Sequence, residues 1–272
     1  MGLEVSNIAT QVFQSLKSAR QIAPISSGNP AFDATSAYQV TAELRALRVA
    51  SGEKTVGRKI GFTNRTIWDE YGVFAPIWGD VFATTLFHTD AAATGTLPLA
   101  GLCEPRIEPE IVFGLAGPIT PGMDDTSLIG ALDWVAHGFE VVQSIYPDWK
   151  FSIADTIACG GLHGRMIVGP KQRLSRWTPG NLARALAGFT ITLSCDGTPI
   201  DQGAGANVLD SPLNALRHLA GVLANDPLNP PLQAGETITT GTLTRAFPVE
   251  PSQTWTTQLT GLDLPGLKVA FN

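Results

Sequence analysis

The first fifty residues alternate between apolar and polar positions with the period of an α-helix. Apolar residues three or four positions apart predict one helix over residues 9–20 and a second over residues 33–51. Asp33 stands where a helix N-cap is expected, and Gly52 follows the last periodic residues. A stretch rich in Pro, Ser and Gly separates the two runs. The pattern therefore predicts a helical hairpin at the N-terminus.

From Val56 onward the pattern changes to short runs rich in β-branched and aromatic residues, separated by Gly and Pro. The predicted strands include residues 107–115, 139–142, 166–168, 189–195 and 255–259. Helical periodicity returns twice, over residues 125–134 and 212–224. Asp196-Gly197, between two apolar runs, predicts a tight hairpin. The chain is thus predicted to be α+β, with a mainly β body.

Composition, charge and hydropathy exclude some classes of protein. With 272 residues, 44% of them hydrophobic, the chain can bury the core of one large domain or of a major domain with a smaller appendage. A net charge of -6 without any block of like charge argues against a nucleic-acid partner. Gly, Pro or charged residues interrupt every apolar stretch before the roughly 20 residues that a membrane helix needs. No membrane association is therefore expected.

The N-terminus has neither a basic segment nor an apolar core of the kind found in secretory signals, so a cytoplasmic location is expected. Cys103, Cys159 and Cys195 have no CxxC spacing and are too few for a disulfide scaffold or a thiolate zinc site. We predict that they are small, reduced core residues.

Three carboxylates stand out in apolar surroundings. Glu108 and Glu110 are two residues apart on a predicted strand, so both project from one face and repel each other unless a cation or a proton lies between them. Glu140 lies within the apolar run 139–142, where an unpaired carboxylate costs several kcal/mol (about 2–7) of desolvation. It needs a partner, which is either a metal ion shared with the other two acids or an arginine such as Arg106 or Arg165.

The nature of these ligands indicates which metal would bind. Carboxylate oxygens match hard cations, and the chain has no His or Cys spacing typical of a site for a softer metal. The sequence therefore predicts a Mg²⁺ or Mn²⁺ site at Glu108, Glu110 and Glu140. A solvated strand face, with Glu140 paired to an arginine, is the alternative.

Several short motifs follow one another in a characteristic order. They are Gly57-Arg58-Lys59-Ile60-Gly61-Phe62-Thr63, Glu108-Pro109-Glu110, Phe139-Glu140-Val141-Val142, Asp148-Trp149-Lys150, Asp155-Thr156-Ile157-Ala158, Gly203-Ala204-Gly205-Ala206-Asn207-Val208-Leu209, Pro212-Leu213-Asn214-Ala215 and Thr240-Gly241-Thr242-Leu243-Thr244. Because these motifs occur in this order and at this spacing, the chain resembles the 2-keto-4-pentenoate hydratase and 4-oxalocrotonate decarboxylase branch of the fumarylacetoacetate hydrolase superfamily. The resemblance spans nearly the whole chain.

The resemblance implies an α+β fold with a small helical N-terminal region, over residues 1–75, followed by a mixed β-roll catalytic domain of the fumarylacetoacetate hydrolase type, over residues 76–272. It also implies assembly into homo-oligomers. The metal ligands of the family fall on Glu108, Glu110 and Glu140, and its active-site lysine falls on Lys59. The substrate-binding positions implied by the resemblance are Lys59, Arg106, Gly161, Leu162 and Thr242.

Two segments depart from the hydratases of this branch. The stretch 73–79 lacks the acidic residue that those hydratases carry there, and the stretch 159–165 lacks a serine and contains His163 instead. Because a histidine exchanges protons near neutral pH, His163 is predicted to handle protons in catalysis. The alternative is that it only orders a turn. The other histidines, His88, His137 and His218, are interpreted as structural.

The predicted activity is that of a divalent-metal-dependent hydratase. Its partner would be a small 2-oxo acid, a 2-hydroxydienoate or 2-oxo-enoate from the meta-cleavage of aromatic compounds, with Lys59 and His163 managing the protons. One alternative is decarboxylation of a 4-oxalocrotonate-like 2-oxo acid, and another is hydrolysis of a C–C bond in an acylpyruvate with His163 activating the water. A non-catalytic binding protein is a fourth hypothesis, and the retained acids and Lys59 argue against it.

Overall fold

The computed structural model describes residues 2–272 of the chain. The helices are α1 (Gly2–Ser18), α2 (Ile25–Gly28), α3 (Ala34–Ala50), α4 (Trp68–Tyr71), α5 (Asp125–Gly130), α6 (Ile153–Ala158), α7 (Pro179–Gly188) and α8 (Pro212–Leu223). The strands are β1 (Thr55–Gly61), β2 (Ile77–Phe82), β3 (Leu86–His88), β4 (Thr94–Leu97), β5 (Arg106–Leu115), β6 (Leu132–Val142), β7 (His163–Val168), β8 (Gln172–Arg173), β9 (Thr190–Cys195), β10 (Thr198–Ala204), β11 (Thr237–Thr239), β12 (Phe247–Pro248), β13 (Thr254–Thr260) and β14 (Lys268–Phe271).

The predicted helical hairpin at the N-terminus is confirmed, since α1 and α3 pack against each other. Asp33 caps α3 by accepting a hydrogen bond from the backbone N–H of Ser36 at 2.8 Å. The hydroxyl of Thr41 on α3 donates to the carbonyl of Ile157 on α6 at 2.8 Å. The hairpin is therefore joined to the segment that precedes His163.

The strands form two mixed sheets. The larger has the order β2-β1-β11-β5-β6-β7-β3, with β12 also paired to β5 and β8 to β6. The smaller has the order β10-β9-β13-β14-β4. Pairs β1–β11, β3–β7 and β14–β4 are parallel, and the other pairs are antiparallel. Because β1 belongs to the larger sheet, that sheet begins before the predicted boundary at residue 75, and the division into two regions stays a prediction.

The five predicted strands and the hairpin at Asp196-Gly197 are confirmed, although β6 and β7 begin earlier than predicted, at Leu132 and His163. The helix predicted over residues 125–134 is wrong in its second half, because α5 ends at Gly130 and β6 begins at Leu132. The beginning of β6 pairs with β5, where Leu132 lies opposite Leu115. Long-range strand pairing therefore overrides the local helical periodicity.

The position of the core decides which face of β5 and β6 carries the acids. Ile107 on β5 and Phe139 and Val141 on β6 are fully buried against residues of the smaller sheet, such as Leu193 and Trp255. Since side chains alternate along a strand, the neighbouring positions project from the opposite face. Glu108, Glu110 and Glu140 lie on that opposite face.

Within residues 2–272, no helix is both long enough and apolar enough to cross a membrane. The three cysteines are free, with Cys103 and Cys159 buried and Cys195 partly exposed.

Candidate active site

Two neighbouring strands bring three carboxylates together. Glu108 and Glu110 project from the same face of β5, and Glu140 on β6 lies directly opposite Glu108. One carboxylate oxygen from each residue lies within 4.8 Å of the others. Glu110 and Glu140 are buried, whereas Glu108 is partly exposed. Antiparallel pairing therefore assembles the predicted cluster.

Two basic side chains contact Glu140. The Nδ1 atom of His163 lies 2.7 Å from Oε1, and the Nζ atom of Lys59 lies 3.2 Å from Oε2. Lys59 is only 2% exposed, and its ammonium donates a hydrogen bond to the carbonyl of Gly161 at 2.8 Å. Glu140, Lys59 and His163 thus form one buried polar network.

The two arginines considered as partners for Glu140 bind elsewhere. Arg106 donates a hydrogen bond to the hydroxyl of Tyr71 at 2.9 Å, and its guanidinium lies 4.3 Å from the centre of the Trp149 ring. Arg165 donates to two backbone carbonyls. The alternative in which an arginine neutralises Glu140 is therefore wrong.

The backbone of the 240–244 segment fixes Glu110. The N–H of Gly241 donates to Glu110 Oε2 at 2.7 Å. Gly241 has a φ of +96°, and a Cβ atom at this position would overlap the side chain of Thr63. Only glycine adopts this conformation without strain, so Gly241 is required for the contact with Glu110.

The buried charges of the cluster do not balance. Burial raises the pKa of Glu108 to about 7, although the charge of Lys59 opposes the shift. Burial, followed by the charges of Glu140 and Glu108, raises the pKa of Glu110 well above its usual value. Burial also acts to raise the pKa of Glu140, but Lys59 and His163 outweigh it and the pKa is lowered. Three carboxylates share one buried ammonium, so the cluster retains protons near neutral pH unless another cation replaces them.

The same charges act on Lys59. Burial alone would lower the pKa of the ammonium, but the negative charges of Glu140, Glu108 and Glu110 outweigh this effect and the pKa is raised. Lys59 therefore carries its proton at neutral pH.

Oε1 of Glu110 is buried and lacks a hydrogen bond to any described residue, and Oε2 of Glu140 has only its ion pair with Lys59. An uncompensated buried oxygen of this kind destabilises a protein by about 1–3 kcal/mol or more. Together with Glu108, these oxygens make a set of hard ligands that suits Mg²⁺ or Mn²⁺. The arrangement can therefore hold a divalent cation.

The cluster borders a narrow cleft. Four of the predicted substrate-binding residues line it, namely Lys59, Gly161, Leu162 and Thr242, together with Glu108. Arg106 is not among the lining residues and contacts two of them, Tyr71 and Trp149. Much of the remaining wall is apolar and comes from Phe62, Ile67, Tyr71, Val142 and Trp149. The cavity measures about 20 Å³, which is room for about one water molecule.

A left-handed turn brings the backbone to Lys59. Three consecutive residues, Gly160, Gly161 and Leu162, have φ values of 78°, 72° and 63°. Gly79 on β2 is the register partner of Lys59, and a Cβ atom on it would overlap the carbonyl of Gly160. Glycine at position 79 therefore allows the turn to approach closely enough for the hydrogen bond between Lys59 and Gly161.

His163 reaches Glu140 from outside the cleft. Its ring is buried, and its Nε2 atom lies 2.8 Å from the hydroxyl oxygen of Thr85. His163 lines a separate cavity of about 340 Å³, which Arg48 and Arg165 also border, and it does not line the cleft. The structure thus places this histidine beside a predicted metal ligand and away from the wall that a substrate would touch.

His137 has the environment of a structural residue. It is fully buried, with Nδ1 2.8 Å from the carbonyl oxygen of Glu110 and Nε2 2.8 Å from the hydroxyl oxygen of Thr257. Burial lowers its pKa to about 4, so the ring is neutral and links the two sheets.

Comparison with known proteins identifies the family. No protein-family model matches the chain. A 2-hydroxyhexa-2,4-dienoate hydratase of Comamonas testosteroni is 34% identical over 239 residues, which cover 88% of this chain and 87% of that protein. A 2-keto-4-pentenoate hydratase of Paraburkholderia phymatum is 32% identical over 259 residues, or 95% of this chain and 94% of that protein. The chain belongs to the 2-keto-4-pentenoate hydratase and 4-oxalocrotonate decarboxylase family. As a member of this family it is an enzyme, a hydratase or a decarboxylase.

Solved structures agree with this assignment. The 4-oxalocrotonate decarboxylase from Pseudomonas putida G7, complexed with magnesium and adipate, matches 100% of this chain and 98% of its own, with a TM-score of 0.89 and 27% identity. A fumarylpyruvate hydrolase from Pseudomonas aeruginosa, in complex with Mn²⁺ and pyruvate, matches 79% of this chain and 88% of its own, with a TM-score of 0.61 and 16% identity. The latter likeness concerns the fold alone. The predicted α+β fold of the fumarylacetoacetate hydrolase type is confirmed.

In this member of the hydratase and decarboxylase family, Asp80 does not replace the acid missing from segment 73–79. The next acid along the chain, Asp80, is buried and contacts Arg45 at 2.7 Å and Arg58 at 3.5 Å. Arg58 and Asp80 are register partners one position beyond Lys59 and Gly79, so they occupy the opposite face of the sheet. Asp80 is therefore unable to reach the cleft.

Reasoning from the sequence missed three residues of the site. Gly79 and Gly241 support Lys59 and Glu110 through close backbone approach, and Tyr71 lines the cleft. The only sequence signal for Gly241 was its place in the family motif at 240–244. For Tyr71, nothing in the local sequence indicates that its hydroxyl contacts the guanidinium of Arg106.

Proposed function

We propose that this enzyme is a divalent-metal-dependent hydratase that adds water to a 2-hydroxydienoate or its 2-oxo-enoate tautomer. The names of its hydratase relatives support this substrate class. One structural observation carries the proposal. Among the described residues that line the cleft, Lys59 is the only cation, it is already paired with Glu140, and much of the remaining wall is apolar. Such a cleft suits a substrate that has one carboxylate, bound near the three glutamates, and an apolar hydrocarbon chain beyond it.

Glu108, Glu110 and Glu140 would hold the metal ion, Mg²⁺ or Mn²⁺. The unpartnered buried oxygen of Glu110 and the raised pKa of Glu108 and of Glu110 support this assignment. Bound there, a divalent cation supplies Lewis-acid stabilisation of negative charge on the 2-oxo group and the adjacent carboxylate.

The other residues of the cleft bind the substrate and control access of water. Lys59 retains its proton, so its Nζ atom offers a positive charge to the substrate carboxylate and a proton to a developing enolate. Thr242, Gly161 and Leu162 shape the wall next to Lys59. Because the cleft has room for about one water molecule, a five- or six-carbon acid enters only if the walls move apart, and it then displaces bulk water.

Decarboxylation of a 4-oxalocrotonate-like acid is the second candidate, favoured by the likeness to the decarboxylase over the whole chain. That substrate has a second carboxylate. The cleft lining supplies no free cation to bind it, which favours hydration. Hydrolysis of an acylpyruvate with His163 activating the water has no support, because His163 does not line the cleft.

A spectrophotometric assay separates these candidates. The purified enzyme with Mg²⁺ is given 2-hydroxypenta-2,4-dienoate, 2-hydroxyhexa-2,4-dienoate or 4-oxalocrotonate. Hydration would remove the absorbance of the dienoates and form a 4-hydroxy-2-oxo acid without release of CO₂. Release of CO₂ from 4-oxalocrotonate, with both dienoates left unchanged, would establish a decarboxylase instead.

The affinity for Mg²⁺ should rise steeply with pH. The cation binds deprotonated carboxylates, and the pKa of Glu108 is about 7 and that of Glu110 is also raised, so protons compete with the metal. Titration calorimetry between pH 6 and 8 should show at least about a tenfold rise in affinity, together with proton release. A Glu108→Gln variant should release one proton fewer. An affinity that does not change with pH would contradict the assignment.

The same pKa shifts predict how the metal-free enzyme responds to pH. Folding raises the pKa of Glu108 from 4.5 to about 7, so the native state binds more protons than the unfolded state in this interval. The contribution of this carboxyl group to stability is therefore fully present below about pH 4.5 and is lost as the pH rises through 7. Saturating Mg²⁺ should raise the melting temperature more at pH 8 than at pH 6.

His163 is proposed to act by holding Glu140 in place, in addition to the proton-transfer role predicted from the sequence, which stays a prediction. Removing such a supporting partner typically lowers metal affinity about 10- to 100-fold. His163→Leu should show this loss, whereas His163→Asn, which retains a donor near the Nδ1 position, should keep most of the affinity. If His163 instead exchanges protons with the substrate, both variants would lose turnover while metal affinity stayed normal.

Two further features are proposed: assembly into homo-oligomers, which the family resemblance implies, and a cytoplasmic location. Size-exclusion chromatography with light scattering would measure the assembly directly. A single-chain mass at micromolar concentration would contradict the first proposal.

A further inference from the structure

Tyr71 contributes a phenol side chain to the wall of the cleft. It is the last residue of α4 and lines the cleft with Lys59 and Glu108. Its hydroxyl oxygen accepts a hydrogen bond from Arg106 at 2.9 Å. A phenol has one O–H donor in addition to its acceptor sites, and no described residue accepts a hydrogen bond from this donor. The O–H of Tyr71 is therefore free to bind a ligand in the cleft.

Arg106 determines whether the hydroxyl of Tyr71 can donate a hydrogen bond to a ligand. Its guanidinium lies against the face of Trp149 and forms no ion pair with any carboxylate in residues 2–272. Because the guanidinium can only donate, it occupies an acceptor site of the Tyr71 oxygen and leaves the O–H to point elsewhere. Burial raises the pKa of Tyr71 to about 12, so the hydroxyl keeps its proton at neutral pH.

The ring of Tyr71 is fixed by other aromatic side chains. Phe62 and Trp149 contact it edge-on, with ring centres 5.8 Å and 6.3 Å away, and Phe151 is nearly parallel to it at 6.3 Å. Such contacts hold an aromatic ring in one orientation. A phenylalanine at position 71 would keep this packing and lose only the hydroxyl.

Glu108 relates this hydroxyl to the metal-ligand cluster. The charge of Glu108 is close enough to raise the pKa of Tyr71, and both residues line the cleft. Arg106, Glu108 and Glu110 project in this order from one face of β5, and the Tyr71 hydroxyl contacts Arg106, the residue on the far side of Glu108 from Glu110. The hydroxyl of Tyr71 therefore lies at the Glu108 end of the cluster, away from Glu110.

We propose that Tyr71, oriented by Arg106, donates a hydrogen bond to the oxygen that water adds at the distal carbon, C4, and so selects ligands that carry oxygen there. This inference rests on the proposed hydratase function. In that reaction the water oxygen bonds to C4 of a 2-oxo-3-enoate, the C3–C4 π bond breaks, and C3 takes up a proton. Net addition of H₂O leaves a hydroxyl on C4, and Tyr71 remains a neutral phenol throughout.

Ligand binding to the Mg²⁺-loaded enzyme tests this proposal without turnover. Two competitive ligands that differ only at C4, 4-hydroxy-2-oxopentanoate and 2-oxopentanoate, are compared with the wild type and the Tyr71→Phe variant. The wild type should prefer the hydroxylated acid by about tenfold or more, because a site that donates a hydrogen bond discriminates against a ligand lacking the acceptor. Tyr71→Phe should lose this preference through weaker binding of the hydroxylated acid alone.

Tyr38→Phe is the matched control, since Tyr38 is stacked on Trp78 and does not line the cleft. This variant should keep the wild-type preference. The proposal is overturned if Tyr71→Phe weakens both ligands equally, if it changes neither, or if the wild type shows no preference. Assays of dienoate hydration on the same preparations report separately on the proposed function, because the preference for a C4 hydroxyl is a property of binding and requires no turnover.

Discussion

Replacing Glu140 with glutamine should abolish metal-dependent turnover and weaken Mg²⁺ binding by about a hundredfold or more. Glu140 supplies a buried carboxylate oxygen to the cluster and lies opposite Glu108 across the β5–β6 pair. A glutamine has nearly the same shape but removes the negative charge, and its amide nitrogen is a poor ligand for a hard cation. Titration calorimetry with Mg²⁺ and a dienoate assay would measure both effects.

The variant should nevertheless fold. Loss of one member of a buried ion pair usually costs about 3–5 kcal/mol, because the remaining charge is left uncompensated. Here the charges of Glu108 and Glu110 also act on Lys59, so carboxylates remain beside its ammonium when Glu140 is replaced. We therefore expect a melting temperature close to that of the metal-free wild type.

A control substitution separates a local effect from a general effect of removing charge. Glu236 is an acid outside the cluster that pairs with Arg58 on the opposite face of the sheet. Glu236→Gln should leave Mg²⁺ affinity unchanged. If Glu140→Gln bound Mg²⁺ as tightly as the wild type, the three acids would not be the metal site.

Glu108, Glu110 and Glu140 show how much of the site can be predicted from the sequence. Spacing of two residues on a strand is enough to place Glu108 and Glu110 on one face, because side chains alternate with a period of two. The apolar run around Glu140 is enough to predict its burial. That Glu140 lies opposite Glu108 depends on the register between β5 and β6, which no local pattern specifies. The sequence joined Glu140 to the other two acids only because a buried carboxylate needs a partner, and the family resemblance then pointed to the same three residues.

The partners of Glu140 could not be predicted from the local sequence, for the same reason. Lys59 comes from β1 and His163 from the start of β7, and both approach through contacts between distant parts of the chain. Their approach depends on Gly79, which leaves room for the 160–162 turn. A positive residue near the acids could be expected from charge balance, but the choice between Lys59 and the two arginines required the tertiary structure.

The second large effect is expected at Lys59. Lys59→Met should lower kcat/KM for dienoate hydration by about a hundredfold or more, which corresponds to about 2.7 kcal/mol of transition-state stabilisation. The ammonium is buried, protonated and located in the cleft beside Glu140, so it is placed to bind the substrate carboxylate and to stabilise charge that develops during the reaction. Methionine preserves most of the volume of the side chain and removes only the charge and the donors.

Metal binding distinguishes this variant from Glu140→Gln. Lys59 supplies no ligand atom to a cation, so Lys59→Met should bind Mg²⁺ within a fewfold of the wild-type affinity, even though it turns over slowly. Lys54→Met is the matched control. Lys54 is exposed and immediately precedes β1, so the same substitution is made there at a position outside the cleft. It should keep full activity. A fall of less than about tenfold in kcat/KM for Lys59→Met would place the ammonium outside the chemistry. Its contacts with Gly161 and Glu140 would then be explained by structural support of the 160–162 turn alone.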